Sequence, residues 1–120
     1  LLTLLALPAA AQAPDPSFAN PARFMHRDGA ALYNAVCAGC HMPNGRGAQG
    51  AGAFPALAEN PRLDPPTYLL TVIVQGRNGM PPLGGLLDDA QIAAVAAYVR
   101  QSFGNAHRDP VTPEEVRAVR

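Results

Sequence analysis

Only two cysteines stand in this chain of 120 residues, and both fall in Cys37-Ala38-Gly39-Cys40-His41. Thiols three positions apart lie on one side of a single helical turn. There they can reach neighbouring edges of one flat macrocycle. A C-x-x-C-H run is the attachment site of a c-type haem. Both sulfurs would close thioether bonds to porphyrin vinyl groups, and His41 would be carried under the iron as its proximal imidazole. Rival uses of the motif lack their other parts. A zinc site needs a second ligand pair, and only the distant His26 and His107 remain. A thioredoxin-like redox pair needs an adjoining strand in a βαβ unit, and no alternating β-rich run precedes Cys37.

The rest of the composition bounds what such a chain can do. Its length argues for one domain, on the edge of what a polypeptide core alone can stabilise. A covalent haem would add apolar surface for that core to wrap, so the haem-free chain is expected to be largely unfolded. No cysteine is left for a structural disulfide. Nine acids balance nine bases, every base is Arg, and the formal net charge is zero. Neither nucleic acid nor an anionic membrane surface is an obvious partner for such a chain.

The N-terminus reads as export machinery. Residues 1–7 form an apolar run too short to span a bilayer, and small residues at Ala9 and Ala11 satisfy an A-x-A cleavage pattern. The expected organisation is a signal peptide over 1–11 with its start truncated, a flexible lead-in over 12–27, a haem domain over 28–105 and a tail over 106–120. An uncleaved membrane anchor is the other reading of the leader. Export agrees with the motif, because bacteria attach haem through thioethers outside the cytoplasm. The periplasm is therefore the expected compartment, with no stable membrane span once the leader is removed.

Helical periodicity dominates the domain. Asp28 is a plausible N-cap, and Gly29, Leu32, Tyr33 and Val36 run at helical spacing into Cys37. Glycines at 45, 47, 50 and 52 predict no regular structure over 44–53. Asp64-Pro65-Pro66-Thr67 reads as a helix start, and Tyr68, Leu69, Val72 and Ile73 give that helix an apolar face before Gly76 stops it. Its β-branched residues leave a strand open as the alternative. The clearest helix is expected over 88–103, capped by Asp88 or Asp89, with Ile92, Val95, Ala96, Val99 and Phe103 as one stripe. Thr112-Pro113-Glu114-Glu115 is a capping box for a last short helix.

The sixth iron position separates a carrier from an enzyme. Met25, His26, Met42, Met80 and His107 are the candidates. Met42 is tied to the proximal side by its neighbour His41, Met25 and His26 precede the first helix, and His107 lies past the last core helix. Met80 stands in Asn78-Gly79-Met80-Pro81-Pro82, where Gly79 permits an unusual turn and Pro81 pushes Met80 into an extended conformation. A rigid loop of that kind can hold a thioether over the iron; the plainer alternative is an apolar loop residue packed on the core. His/Met ligation favours ferrous iron and fills both axial positions, which suits electron relay better than catalysis.

With these residues in view, the chain resembles the class I cytochromes c over residues 29–105. The resemblance is carried by Leu32-Tyr33 ahead of the Cys37–His41 motif, by Phe54-Pro55-Ala56-Leu57, and by Gly79-Met80-Pro81 followed by the 88–103 helix. Val99-Arg100-Gln101-Ser102-Phe103-Gly104-Asn105 and the stretch 111–119 make it similar to cytochrome c subunits of bacterial periplasmic dehydrogenases acting on alcohols, sugars or aldehydes. The resemblance implies an all-α fold of three to five helices wrapped around one haem c held by Cys37 and Cys40. First and last core helices would cross near Gly29 and Tyr98-Val99. It further implies that the Pro55 carbonyl receives the second ring nitrogen of His41, fixing its tautomer. Leu57, Leu69, Ile73 and Leu83 would be haem-wall residues or simply core, and Arg62 and Arg77 would reach the haem propionates or stay solvated. One departure is the absence of Lys, which many soluble cytochromes c place around the haem edge for docking. With charges balanced, steering is expected to be weak, and an apolar docking surface around Met42, Pro43, Pro81, Pro82 and Leu83 is expected instead.

The function these readings favour is single-electron transfer, from a periplasmic dehydrogenase toward the respiratory chain, by a protein that is not itself an enzyme. The alternatives are a free shuttle that passes electrons to a terminal oxidase or another cytochrome, a haem enzyme such as a peroxidase, and a gas sensor in which Met80 is displaced.

Overall fold

The computed structural model describes residues 21–50 and 52–120. The expected leader, its cleavage point before Gln12 and the lead-in up to residue 20 lie outside the described residues. Pro21–Phe24 forms a 3₁₀ turn, tied down by the Arg23 guanidinium, which donates to the Ala35 carbonyl, and by Gln91 Nε2, which donates to the carbonyls of Phe24 (2.7 Å) and His26 (2.8 Å).

The helix that carries the motif starts where the sequence places it. Asp28 is extended, and its side chain accepts from the Ala31 amide at 2.9 Å. From there α1 (Gly29–Leu32), a π turn (Tyr33–Cys37) and α2 (Ala38–His41) run on without a break. The π turn is not visible in the spacing. It shows as an Ala38 N–H bonded to the Tyr33 carbonyl, five residues back. Gly29 lets the first helix cross α4 (Asp89–Gln101) at close range. A Cβ there would lie 2.8 Å from Tyr98 Cβ and press on the Ala94 carbonyl, so the crossing falls beside Tyr98, as the resemblance implies.

Between α2 and the next helix the glycine-rich run does contain pairing, which corrects the expectation of no regular structure there. β1 (Ala48–Gln49) and β2 (Ala53–Phe54) form a minimal antiparallel hairpin, with Ala48 opposite Phe54 and Gln49 opposite Ala53. Asn60 then caps a 3₁₀ turn, Pro61–Leu63, and leads into α3 (Pro66–Gln75), which is a helix and not a strand. Proline in its first turn lacks an N–H that would have no partner anyway. Gly76, at φ 72°, ends α3 with its amide on the Val72 carbonyl.

Asp88 caps α4 in a full capping box: its carboxylate accepts from the Gln91 amide while Gln91 Oε1 accepts from the Asp88 amide. Ile92, Val95, Ala96 and Val99 are buried as the stripe requires. Phe103 is not on the helix. The backbone leaves α4 at Ser102, and Phe103 takes a left-handed conformation (φ 57°) that turns its ring onto Tyr33, 4.9 Å away between centroids. The tail also packs: α5 (Pro113–Arg117) is capped by Thr112 and buries Val116 completely. Gln75 Nε2 donates to the Val119 carbonyl (2.8 Å), and Arg120 reaches Asp89 and the Leu87 carbonyl.

One core position is a cation. Arg100 is 0% exposed. Its guanidinium donates to the Leu63 carbonyl (2.9 Å), to Asp64 (3.0 Å) and to Asp109. Only the cation is desolvated: the Asp64 and Asp109 side chains are 53% and 59% exposed. The bonds join α4, the entry to α3 and the tail. The architecture is thus all-α apart from the hairpin, and no described helix is long and apolar enough to cross a membrane.

Candidate haem site

A cleft enclosing about 740 Å³ of open space, its solvent-facing mouth included, opens between α2, the 55–63 segment, α3 and the loop after it. Cys37 and His41 line it from the motif, Pro55 and Leu57 from the returning chain, Leu69 and Ile73 from α3, and Met80 from the loop. Seven of the expected site residues thus meet on one surface. Cys40 is exposed, on the same turn as His41. Two residues considered for the haem's surroundings, Leu83 as wall and Arg77 as propionate partner, are not on the cleft's lining. Leu83 is buried in the main core, where its amide bonds to the Ile73 carbonyl (2.9 Å). Arg77 lays its guanidinium over the Tyr68 ring, 5.8 Å from the centroid, and does not line the cleft. Arg62 does line it.

The proximal side is heavily bonded. His41 is 7% exposed, and its Nδ1 sits 2.9 Å from the Pro55 carbonyl oxygen, the contact expected from the resemblance. An N–H at Nδ1 leaves a lone pair on Nε2, and Nε2 has no hydrogen-bond partner among the described residues. The carbonyl of His41 accepts from the Gly47 amide at 3.0 Å. Burial, reinforced by Cys40, pushes the free Cys37 thiol up to about 11. Met80, also on the cleft's lining, stands in a loop pinned by its own backbone: its amide donates to the Arg77 carbonyl (2.9 Å) and its carbonyl accepts from the Arg77 amide (3.1 Å).

Six further residues line the cleft that sequence reasoning did not assign to it: Asn60, Leu63, Tyr68, Val72, Val95 and Val99. Tyr68 and Val72 were legible, being one turn apart and next to Leu69 and Ile73 on the same apolar face. Val95 and Val99 belong to the α4 stripe. Asn60 carried no local signal; its amide is held by Asn105 Oδ1 (2.9 Å), and Asn105 also donates to the Leu57 carbonyl (2.8 Å).

These residues make a mostly apolar slot with one unpartnered imidazole nitrogen and a thioether on its lining and two thiols on the same helical run as the imidazole. That donor set fits an iron porphyrin. Among known proteins, the family model described as cytochrome C oxidase, cbb3-type, subunit III, matches residues 25–99. The chain belongs to the cytochrome c family. It is 34% identical over 113 residues to cytochrome c-552 of Thermus thermophilus, with 78% of this chain and 84% of that protein covered. It is 38% identical over 108 residues to the fructose dehydrogenase cytochrome subunit of Gluconobacter japonicus, again over 78% of this chain. The gluconate 2-dehydrogenase cytochrome c subunit of Pantoea cypripedii is 31% identical over 77% of the chain. This cytochrome spans only about a fifth of those two subunits, 22% and 24% of their lengths. It is an electron carrier related both to dehydrogenase cytochrome subunits and to a cytochrome of about its own length. Family membership implies haem c as the cofactor.

Proposed function

We propose that this cytochrome binds one haem c through thioethers from Cys37 and Cys40, with His41 and Met80 as axial ligands. In this reading it works in the bacterial periplasm, taking single electrons from a dehydrogenase and passing them toward the respiratory chain. The observation that carries the proposal is the meeting of Cys37, His41 and Met80 on one cleft whose walls are mostly apolar. The haem, once bound, supplies a one-electron couple. The Pro55 carbonyl holds the proton of His41 on Nδ1, which aims Nε2 at the iron position and raises its basicity. Met80 supplies a soft sulfur that favours ferrous iron. Leu57, Leu69 and Ile73 keep water from the macrocycle faces, while Arg62 offers a cation to its acid groups. With His41 and Met80 both holding the iron, oxygen or peroxide would find no open position, which supports a carrier and not an enzyme.

A dehydrogenase donor is supported by the names of the relatives, among them cytochrome subunits acting with fructose and gluconate dehydrogenases. An oxidase or another cytochrome is the acceptor class. The free-shuttle reading has its own support, since the chain covers 84% of cytochrome c-552 and so suffices for a whole carrier of that size. Purified from an exporting bacterium, the protein should be coloured, keep its pigment in acidified solvent, and show the weak near-infrared band of Fe(III)–thioether ligation. Pigment that extracts into acid would overturn the thioether assignment. Co-purification with a dehydrogenase would favour the dedicated subunit; a monomer whose transfer rate falls steeply with salt would favour the shuttle.

A further inference from the structure

We propose that Tyr33 is the positioning residue for the His41 imidazole, acting through the Met42 carbonyl and the segment that returns from it to Pro55. The inference rests on His41 being an axial ligand. Tyr33 is fully buried, and its phenol donates to the Met42 carbonyl at 2.7 Å. The same carbonyl accepts the Gly45 amide at 3.0 Å. The Gly45 carbonyl in turn accepts the amides of Leu57 (2.7 Å) and Ala58 (2.9 Å). Two residues before Leu57 stands Pro55, whose carbonyl faces His41 Nδ1. The chain therefore leaves His41, turns at Met42, and comes back to hold the ring it has just passed. Tyr33 is the side chain that donates into this circuit at its Met42 end, while Asn105 Nδ2 donates to the Leu57 carbonyl (2.8 Å) and Asn60 Nδ2 to the Ala56 carbonyl (2.9 Å) at the other.

The helix geometry explains how position 33 reaches position 42. Nine residues of unbroken α-helix would set the two about 180° apart around the axis. The π turn Tyr33–Cys37 holds back about 100° of that rotation by taking in one extra residue. Met42 then leaves the helix at φ 67°, a conformation a non-glycine residue adopts only when its surroundings hold it there. The phenol is one of those holds. Burial, with Cys37 and Tyr98 beside it, pushes Tyr33 up to about 12, so it remains a neutral donor at neutral pH.

Losing the phenol O–H loosens the Met42 end of the circuit and so weakens the Nδ1–H bond to Pro55. A weaker bond makes the imidazole a poorer electron donor to ferric iron. The sign is fixed: the midpoint potential rises. Packing should survive Tyr33→Phe, because the ring contacts to Tyr98 (5.7 Å) and Phe103 (4.9 Å) do not use the hydroxyl.

The test compares holoprotein carrying Tyr33→Phe with holoprotein carrying Tyr98→Phe, a change in the same aromatic cluster outside the circuit. Midpoint potential is measured, together with exchange of the His41 Nδ1 proton in the diamagnetic ferrous form. Tyr33→Phe is expected to keep the haem, raise the potential and speed that exchange about tenfold, the effect of one lost hydrogen bond. Tyr98→Phe should move neither, and Tyr33→3-fluorotyrosine, which keeps an O–H, should restore the original values. Unchanged potential and exchange in Tyr33→Phe, whatever its melting temperature, would overturn the proposal; so would equal shifts from Tyr98→Phe. A parent protein whose His41 ring protons show no sign of haem would instead remove the ligand assignment on which all of this stands.

Discussion

On one side of the cleft His41 closes a helix and is almost wholly buried, its ring and its carbonyl both hydrogen-bonded. Elsewhere on the same lining Met80 stands half-buried in a loop, and its hydrogen bonds are made by its backbone alone. The proximal side is built from consecutive residues and a chain that doubles back on them. The distal side is built from a turn between α3 and the core: Gly76 at φ 72°, Asn78 at φ 52°, and the Leu83 and Gly84 amides bonded to the carbonyls of Ile73 and Val74. In the proposed reading, cofactor attachment and the His41 ligand would depend on one continuous helix, and the Met80 ligand on how a separate loop is anchored. That separation should let the distal contact fail while the proximal one persists.

The largest effects should come from the ligands themselves, and they should be unequal. His41→Ala, or loss of either cysteine, is expected to abolish accumulation of coloured protein, because these residues act during attachment. Met80→Ala should still carry covalent haem but become high-spin, with a lower potential and new reactivity toward carbon monoxide. Absorbance of the purified variants and their response to carbon monoxide check this. A Met80→Ala spectrum identical to the parent's would mean that another side chain takes the sixth position.

Next in size are two glycines, one on each side. A Cβ at Gly76 would lie 2.7 Å from the Met80 carbonyl oxygen and 2.7 Å from the Pro82 nitrogen, on a backbone already in the left-handed region. Gly76→Ala should cost about 1–3 kcal/mol, and it should do so locally. The near-infrared thioether band is expected to vanish on heating well before helicity does. Gly29→Ala instead drives Cβ toward Tyr98 and the Ala94 carbonyl, at the crossing of α1 and α4. It should lower the whole unfolding transition, with band and helicity lost together. Coincident loss in both variants would show that loop and helix unfold as one unit.

What could be read in advance follows from how local each signal is. The caps at Asp28, Asp88 and Thr112 lie within three residues of the amides they serve, and the structure has all three. The individual helices followed from periodicity, while the all-α class and the α1–α4 crossing at Gly29 followed from the family resemblance. Other features depend on partners far along the chain. Arg100 looks like a solvated residue between Val99 and Gln101, yet its partners are Leu63, Asp64 and Asp109, brought together only by folding. The π turn gives no change in residue type to detect. Leu83 read equally as haem wall or core, and the bonds its loop makes to Ile73 and Val74, which no local pattern announces, set it among the buried core residues. Asn60 and Asn105 meet across 45 positions, and one cleft wall depends on that meeting.

The smallest expected effect tests whether α4, which lends Val95 and Val99 to the cleft, serves both sides alike. Asp88 is held below its usual range, first by the Gln91 amide it caps and then by Arg27. A depressed carboxylate contributes stability above its unfolded pKa of 3.8 and loses it as pH falls through the folded value. Its exposure keeps the ion-pair part small, so the cap dominates. Asp88→Ala is expected to cost about 1 kcal/mol at neutral pH, and Asp88→Asn only a few tenths, since an amide oxygen can still accept from Gln91. Urea unfolding followed at both the near-infrared band and the helical signal should show the two midpoints falling together in Asp88→Ala. On acidification below 3.8 and on through the lowered folded value, the gap between parent and Asp88→Ala should close, because the parent's carboxylate is then protonating. A gap that stayed constant would locate the cost of the substitution in helix propensity and not in the charge on the cap. A near-infrared midpoint that fell further than the helical one would mean that α4 supports the Met80 loop more than it supports the His41 side.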